Sequence, residues 1–143
     1  MALAAIDFGF KRLGVAISDA AGIGAYPLFT IARTSFAADL KSLHDALSAR
    51  EITKLIIGLP LNLDGTEGAL ARAARGFAER VKRELKLETA MFDERLTSFE
   101  ARERIKAAKP SRSGRNRPID AHAAAVILES YMASAGRGDE QPE

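Results

Sequence analysis

The sequence predicts an α/β fold, a mixed five-stranded sheet with its first three strands antiparallel and helices flanking it. Three observations lead there. The first thirty residues hold three short runs rich in β-branched and small residues, punctuated by Gly9, Gly22 and Gly24, which is the pattern of an antiparallel meander. After them helical and strand periodicities alternate, and a strand that returns through a helix pairs parallel and leaves that helix on a face of the sheet. The chain of 143 residues, 47% hydrophobic and 28% charged, is long enough for one core and has no linker that would separate two. A single domain over residues 1–135 followed by a polar tail at 136–143 is the expected organisation.

Leu3 to Asp7, Leu13 to Ser18 and Tyr26 to Ile31 are the strands of the meander, with Lys11 and Arg12 in the first connection. Ser35 stands where an N-cap would, and Phe36, Leu40, Leu43 and Leu47 follow at helical spacing. Thr53 to Leu59 is a dense apolar strand, ended by Gly58 and by Pro60, which cannot donate to a ladder. Asp64-Gly65-Thr66 is a turn feeding a second helix, where Leu70, Ala74, Phe77, Val81 and Leu85 make a stripe opposite a row of arginines and lysines. Thr89 to Phe92 is the fifth strand. Thr97 and Glu100 have capping-box spacing, so a third helix is expected from about Ser98 to Ala108. Lys109 to Arg117 reads as a loop, and the last helix as running from about Ile119 to Ala133.

Composition removes several chemistries. With no cysteine there is no disulfide framework, thiolate zinc site, iron–sulfur cluster or cysteine nucleophile. No apolar run approaches the roughly 20 residues of a spanning helix, and the N-terminus lacks a secretory pattern, so a cytoplasmic location without a membrane partner is expected.

Carboxylate chemistry remains. Asp7 ends the first strand, Asp93 and Glu94 follow the fifth, and Asp120 opens the last helix. Strand ends on one edge meet in space, and like charges gathered there are costly unless a cation neutralises them. Hard oxygen ligands favour Mg²⁺ or Mn²⁺, and two such ions about 3.5–4 Å apart stabilise both the attacking and leaving oxygens of a phosphodiester displacement. Each acid also has an ordinary role: Asp7 in a turn, Asp93 or Glu94 as an ion-pair partner of Arg95, Asp120 as a helix cap. The same holds nearby. Asn62, Asp64 and Thr66 either present backbone N–H groups to a phosphate or close a turn. Lys11 and Arg12 either meet a phosphate or form a solvated hairpin tip. His122 either assists proton transfer or is simply a helix residue, and His44 reads as structural.

The formal charge of +2 conceals its distribution. Arg102, Arg104, Lys106, Lys109, Arg112, Arg115 and Arg117 stand against Glu103 alone, so this segment carries +6 and the remainder −4. Arginines at close spacing in a Pro/Ser/Gly loop suit a phosphate backbone. No aromatic residue is interleaved with them, so contacts to phosphate and shape are expected rather than base reading.

Four stretches in order, Ile6-Asp7-Phe8-Gly9-Phe10-Lys11-Arg12-Leu13-Gly14, Gly58-Leu59-Pro60-Leu61-Asn62 with Asp64-Gly65-Thr66, Asp93-Glu94-Arg95-Leu96-Thr97, and Ile119-Asp120 leading into Ala123-Ala124, resemble the bacterial YqgF family. These RuvX-like Holliday junction resolvases are implicated in processing the end of pre-16S ribosomal RNA, and the resemblance spans about Leu3 to Tyr131. It implies an RNase H-like fold and a metal-dependent nuclease. By position it makes Asp7, Glu94 and Asp120 the catalytic and metal-binding acids. Glu94 is preferred to Asp93 because adjacent side chains on an extended segment point to opposite faces. Two positions depart from the pattern: Phe10 replaces a small hydroxyl residue, and Ala123 stands where related resolvases carry a further acid.

The resulting expectation is hydrolysis by one or two Mg²⁺ or Mn²⁺ ions held by Asp7, Glu94 and Asp120. Lys11, Arg12, Asn62, Arg95, Arg112, Arg115 and Arg117 would hold the nucleic acid. The substrate would be precursor ribosomal RNA, within or outside ribosomal particles, or a four-way DNA junction, acted on by a monomer or a homodimer. The rivals are an RNA-binding ribosome-maturation factor with little catalysis, and a phosphotransferase related to the actin and sugar-kinase fold. The latter clamps ATP between two such domains, and this chain supplies one.

Overall fold

The computed structural model describes residues 2–107 and 119–134. The sheet is built from β1 (Ala2–Phe8), β2 (Arg12–Ser18), β3 (Ala25–Ala32), β4 (Ile52–Leu59) and β5 (Glu88–Asp93), in the order β3-β2-β1-β4-β5. β1, β2 and β3 pair antiparallel, whereas β4 pairs parallel with both β1 and β5, as expected from the alternation of elements. The helices are α1 (Phe36–Leu47), α2 (Ala69–Leu85), α3 (Phe99–Ala107) and α4 (Ile119–Ser134). The basic loop with Lys109, Arg112, Arg115 and Arg117, and the tail at 136–143, lie outside the described residues.

Period-two alternation sends each strand's side chains to two different layers. Ala4, Ile6 and Phe8 of β1, with Leu55, Ile57 and Leu59 of β4, face α1 and α2, where Leu43, Leu47, Phe77 and Val81 complete the layer. Ala5, Ala16, Ile56, Ala90 and Phe92 face the other way, onto Ala124, Ala125 and Leu128 of α4. Because β1, β4 and β5 run parallel, their C-terminal ends at Phe8, Leu59 and Asp93 share one edge, the edge at which open α/β sheets bind ligands.

Local signals explain most boundaries. Ser35 caps α1 as expected, its hydroxyl accepting from the Ala38 N–H at 3.1 Å. The capping box at Thr97 does not form. Ser98 is the cap instead, its hydroxyl accepting from Ala101 N–H at 2.8 Å, while Thr97 donates its own hydroxyl to the Glu94 carbonyl at 2.9 Å. The cause is a short 3₁₀ turn at Glu94–Leu96 that uses Thr97 as its closing residue and delays the helix by one position.

Candidate active site

Asp7 lies on the α4 side of β1, two residues beyond Ala5 of the same layer. Across the β1–β2 pair it faces Gly14. A Cβ on Gly14 would run into the Asp120 carbonyl and lie 2.8 Å from the Ala121 nitrogen, so only glycine allows the first turn of α4 to rest directly on the β2 backbone. That contact brings Asp120 over the strand pair that carries Asp7.

At the end of β5 two adjacent acids part. Asp93 follows Met91 into the α1/α2 layer, and Glu94 follows Phe92 toward α4. Asp93 is buried and clamped by Arg95, whose Nε donates to both carboxylate oxygens at 3.0 Å and whose Nη2 donates to Oδ2 at 2.7 Å. The Arg95 backbone N–H adds a fourth bond at 2.9 Å. Burial alone would raise Asp93, but the hydrogen bonds and charge of Arg95 outweigh it and hold the carboxyl below its ordinary range.

Glu94 meets no such partner among the described residues. Its side chain lies over Gly58, where a Cβ would stand 3.1 Å from its carboxyl carbon and 2.7 Å from Ile127 Cδ1. Burial pushes Glu94 up to about 7, and the charges of Asp7 and Asp93 add to the rise. Burial likewise pushes Asp7 up to about 6, with the Asp120 charge adding to it. Asp7 is therefore coupled to Glu94 on one side and to Asp120 on the other. Beside Glu94 a small cavity of about 190 Å³ opens, lined also by Thr97, Arg102 and Ala123, so the position of the missing fourth acid is space.

Asp120 is the exception among the three, because Arg12 Nε donates to its Oδ2 at 2.7 Å. Among the described residues, no three His, Cys, Asp or Glu side chains are drawn together tightly enough to hold a metal ion. The donors nevertheless fit a hard divalent cation in kind: all are carboxylate oxygens, and two bear a burial and repulsion cost that a cation would relieve.

The predicted nucleic-acid contacts are dispersed. Lys11 and Arg12 are exposed at the β1–β2 tip, next to Asp7. Asn62 closes its own turn, donating Nδ2 to Thr66 Oγ1 at 2.8 Å, while Asp64 accepts from the Thr66 N–H and hydroxyl. The N–H groups of Asn62 and Gly65 are also spent within that turn. Arg95 reaches the same turn through the Leu63 carbonyl at 3.3 Å, so its guanidinium ties the turn to β5. His122 is half-buried on α4, and His44 sits at the surface beside Asp45. One group was missed: Arg33 bonds buried Asp39 at 3.0 Å and the Gly9 carbonyl at 3.0 Å, bracing the β1–β2 tip. Its signal, an acid in the first turn of a helix two residues after an arginine–threonine pair, is too common to single out.

A five-stranded sheet in this order, with carboxylates at the ends of its first and last parallel strands and at a helix start, defines the RNase H-like class. The solved structure titled "T. thermophilus RuvC in complex with Holliday junction substrate" superposes with a TM-score of 0.74 at 14% identity, covering 100% of this chain and 99% of that one. The Fowlpox virus resolvase bound to Holliday junction DNA superposes with a TM-score of 0.57 at 14% identity, covering 94% of this chain and 99% of that one. Residues 1–134 match the family described as "RuvX: Holliday junction resolvase", and the chain belongs to that family. Relatives named "Putative pre-16S rRNA nuclease" include one from Anaeromyxobacter sp. (strain K), 42% identical over 127 residues, with 89% of this chain and 93% of that protein covered. Another, from Myxococcus xanthus, is 40% identical over 127 residues, with 89% and 84% covered.

Proposed function

We propose that the protein is a metal-dependent endonuclease that hydrolyses phosphodiester bonds of structured nucleic acid, with the 5′ end of precursor 16S ribosomal RNA as its substrate. One observation carries the reading: three carboxylates gather at one sheet edge, Asp7 on β1 and Glu94 after β5, both half-buried, and Asp120 at the start of α4, where the charge of Asp7 raises Glu94 and that of Asp120 raises Asp7. Half-buried carboxylates with no ion-pair partner among the described residues are a cost that a structural role gives no reason to maintain. The names of the relatives support the choice of ribosomal RNA over a DNA junction.

Asp7 and Glu94, with Asp120, would hold Mg²⁺ or Mn²⁺, which when bound supplies the charge that activates water and offsets the developing charge on the phosphate. Gly58 and Gly14 set the distance between these acids by admitting Glu94 and the α4 backbone. Arg12, largely exposed, neutralises Asp120 and stands where it can exchange that carboxylate for a substrate phosphate. Lys11 extends the same positive tip. Asp93 holds no metal in this scheme, and with Arg95 it fixes the turn that aims Glu94.

The test compares cleavage of a precursor 16S RNA 5′ end with that of a four-way DNA junction, in Mg²⁺ and in Mn²⁺, for the native protein and Asp7→Asn. Cleavage of the RNA that disappears in the variant is the expected result. Absence of metal-dependent cleavage of either substrate, with RNA binding retained, would establish the binding-factor reading instead.

A further inference from the structure

Beside the carboxylate edge, on the opposite face of the sheet, a groove of about 320 Å³ is lined by Phe8, Phe10, Arg33, Phe36, Gly76 and Arg80. Phe10, two residues beyond β1, is 60% exposed. It is nonetheless held: Phe8, in the core, meets its ring edge-on with centroids 6.3 Å apart. Two guanidinium groups complete the walls. Arg80 lies 3.6 Å above the Phe36 ring, and Arg33 lies 4.7 Å above Phe8. The floor is open because, among the described residues, Gly76 in the middle of α2 has no heavy atom of a neighbouring element within 4 Å of where a Cβ would stand. A glycine there costs the helix about 1 kcal/mol relative to alanine, and no packing contact requires it.

We infer that this groove is a stacking subsite for an unpaired nucleobase of the substrate, with Phe10 as its platform. The inference rests on the nucleic-acid reading above and extends it to substrate shape. Aromatic faces combined with arginine planes are the chemistry that takes bases without reading sequence. The volume lies at the small end of ligand pockets and is enough to seat a base. Position supplies the rest: Phe10 is three residues from Asp7 and next to the exposed Lys11 and Arg12, so the phosphate of a base seated there has cations within one or two residues of its platform. The small hydroxyl residue of the family pattern would offer no such platform.

Binding measured in EDTA separates this inference from catalysis. The probes are a short single-stranded RNA, the same sequence as DNA, and a blunt RNA duplex, each followed by fluorescence anisotropy. Phe10→Ala is expected to weaken the single strands about 5- to 10-fold, the lower part of the range for loss of one stacked base, and the duplex by less than about twofold. Gly76→Leu, which fills the groove, gives the same pattern. Phe10→Trp restores affinity, and because the chain has no other tryptophan its emission is quenched by the single strand but not by the duplex. Equal weakening of single strand and duplex, no weakening in either variant, or no binding by the native protein overturns the subsite. If the pattern holds and the native protein cleaves nothing with Mg²⁺ or Mn²⁺, the subsite stands and the nuclease reading fails.

Discussion

The two faces of the sheet are packed by different rules. Toward α1 and α2 the layer is filled by Leu, Ile and Phe side chains, including Phe8 and Phe77 with ring centroids 5.1 Å apart. Toward α4 alanines such as Ala5, Ala16, Ala124 and Ala125 alternate with larger residues such as Ile56, Phe92 and Leu128, with Gly14 and Gly58 where the approach is closest. Large side chains give the first face its share of the hydrophobic stabilisation and hold its helices off the strands. Small ones let α4 descend until its first turn touches β2. The acids gather on the side where small residues admit the closest backbone approach, at Gly14 and Gly58.

The largest expected effect is at the closest contact. Gly14→Ala forces a methyl into the Asp120 main chain, which no rotamer relieves, and is expected to destabilise the fold by about 3 kcal/mol, at the upper end for overpacking, with loss of cleavage. Urea denaturation and activity on the same preparation check both. Asp7→Asn separates the two quantities. Because loss of even an outer partner of a metal site costs about 10–100-fold, cleavage is expected to fall at least about 100-fold, while the thermal midpoint at pH 8 rises.

That rise follows from linkage. Asp7 and Glu94 are raised to about 6 and about 7, so between roughly pH 4 and 7 the folded chain binds more protons than the unfolded chain. Their contribution therefore favours folding at low pH and is lost as pH rises through that window, by several kcal/mol in all, at about 1.4 kcal/mol for each pH unit by which a group is raised. Urea melts at pH 5 and pH 8 without divalent ions measure it, and Asp7→Asn should flatten the slope.

Asp93→Asn inverts the pattern of Asp7→Asn. It removes a buried carboxylate from its partner, and because Arg95 is partly exposed the expected loss is about 1–3 kcal/mol of stability, read by thermal melts, with divalent ion binding kept. At the bottom of the scale, Ile57→Val on the aliphatic face should cost about 0.5–1.5 kcal/mol and leave ion binding alone.

Sequence patterns disclosed the strand order of the meander, the alternation that followed and the stripes of α1 and α2, because burial on one face imposes a period that survives in a single sequence. They also disclosed the parting of Asp93 and Glu94, since alternation is a property of extended backbone. The helix cap at Ser98 was misplaced because two serine/threonine residues in a row offer the same chemistry, and a 3₁₀ turn decides between them. The Asp120–Arg12 pair joins residues 108 positions apart and has no local signature. The same is true of the groove around Phe10, whose walls come from the β1–β2 tip, Arg33, α1 and α2.

The central claim is that Asp7, Glu94 and Asp120, and not Asp93, form the cation site on the alanine- and glycine-lined face. Mn²⁺ binding at pH 8, followed by electron paramagnetic resonance on the intact protein, tests it most directly. The claim predicts that Asp7→Asn and Glu94→Gln each weaken Mn²⁺ binding at least tenfold, about the smaller loss seen for an outer partner, while folded Asp93→Asn binds as the native protein does. Native-like Mn²⁺ binding by Asp7→Asn, or its loss in folded Asp93→Asn alone, would contradict it.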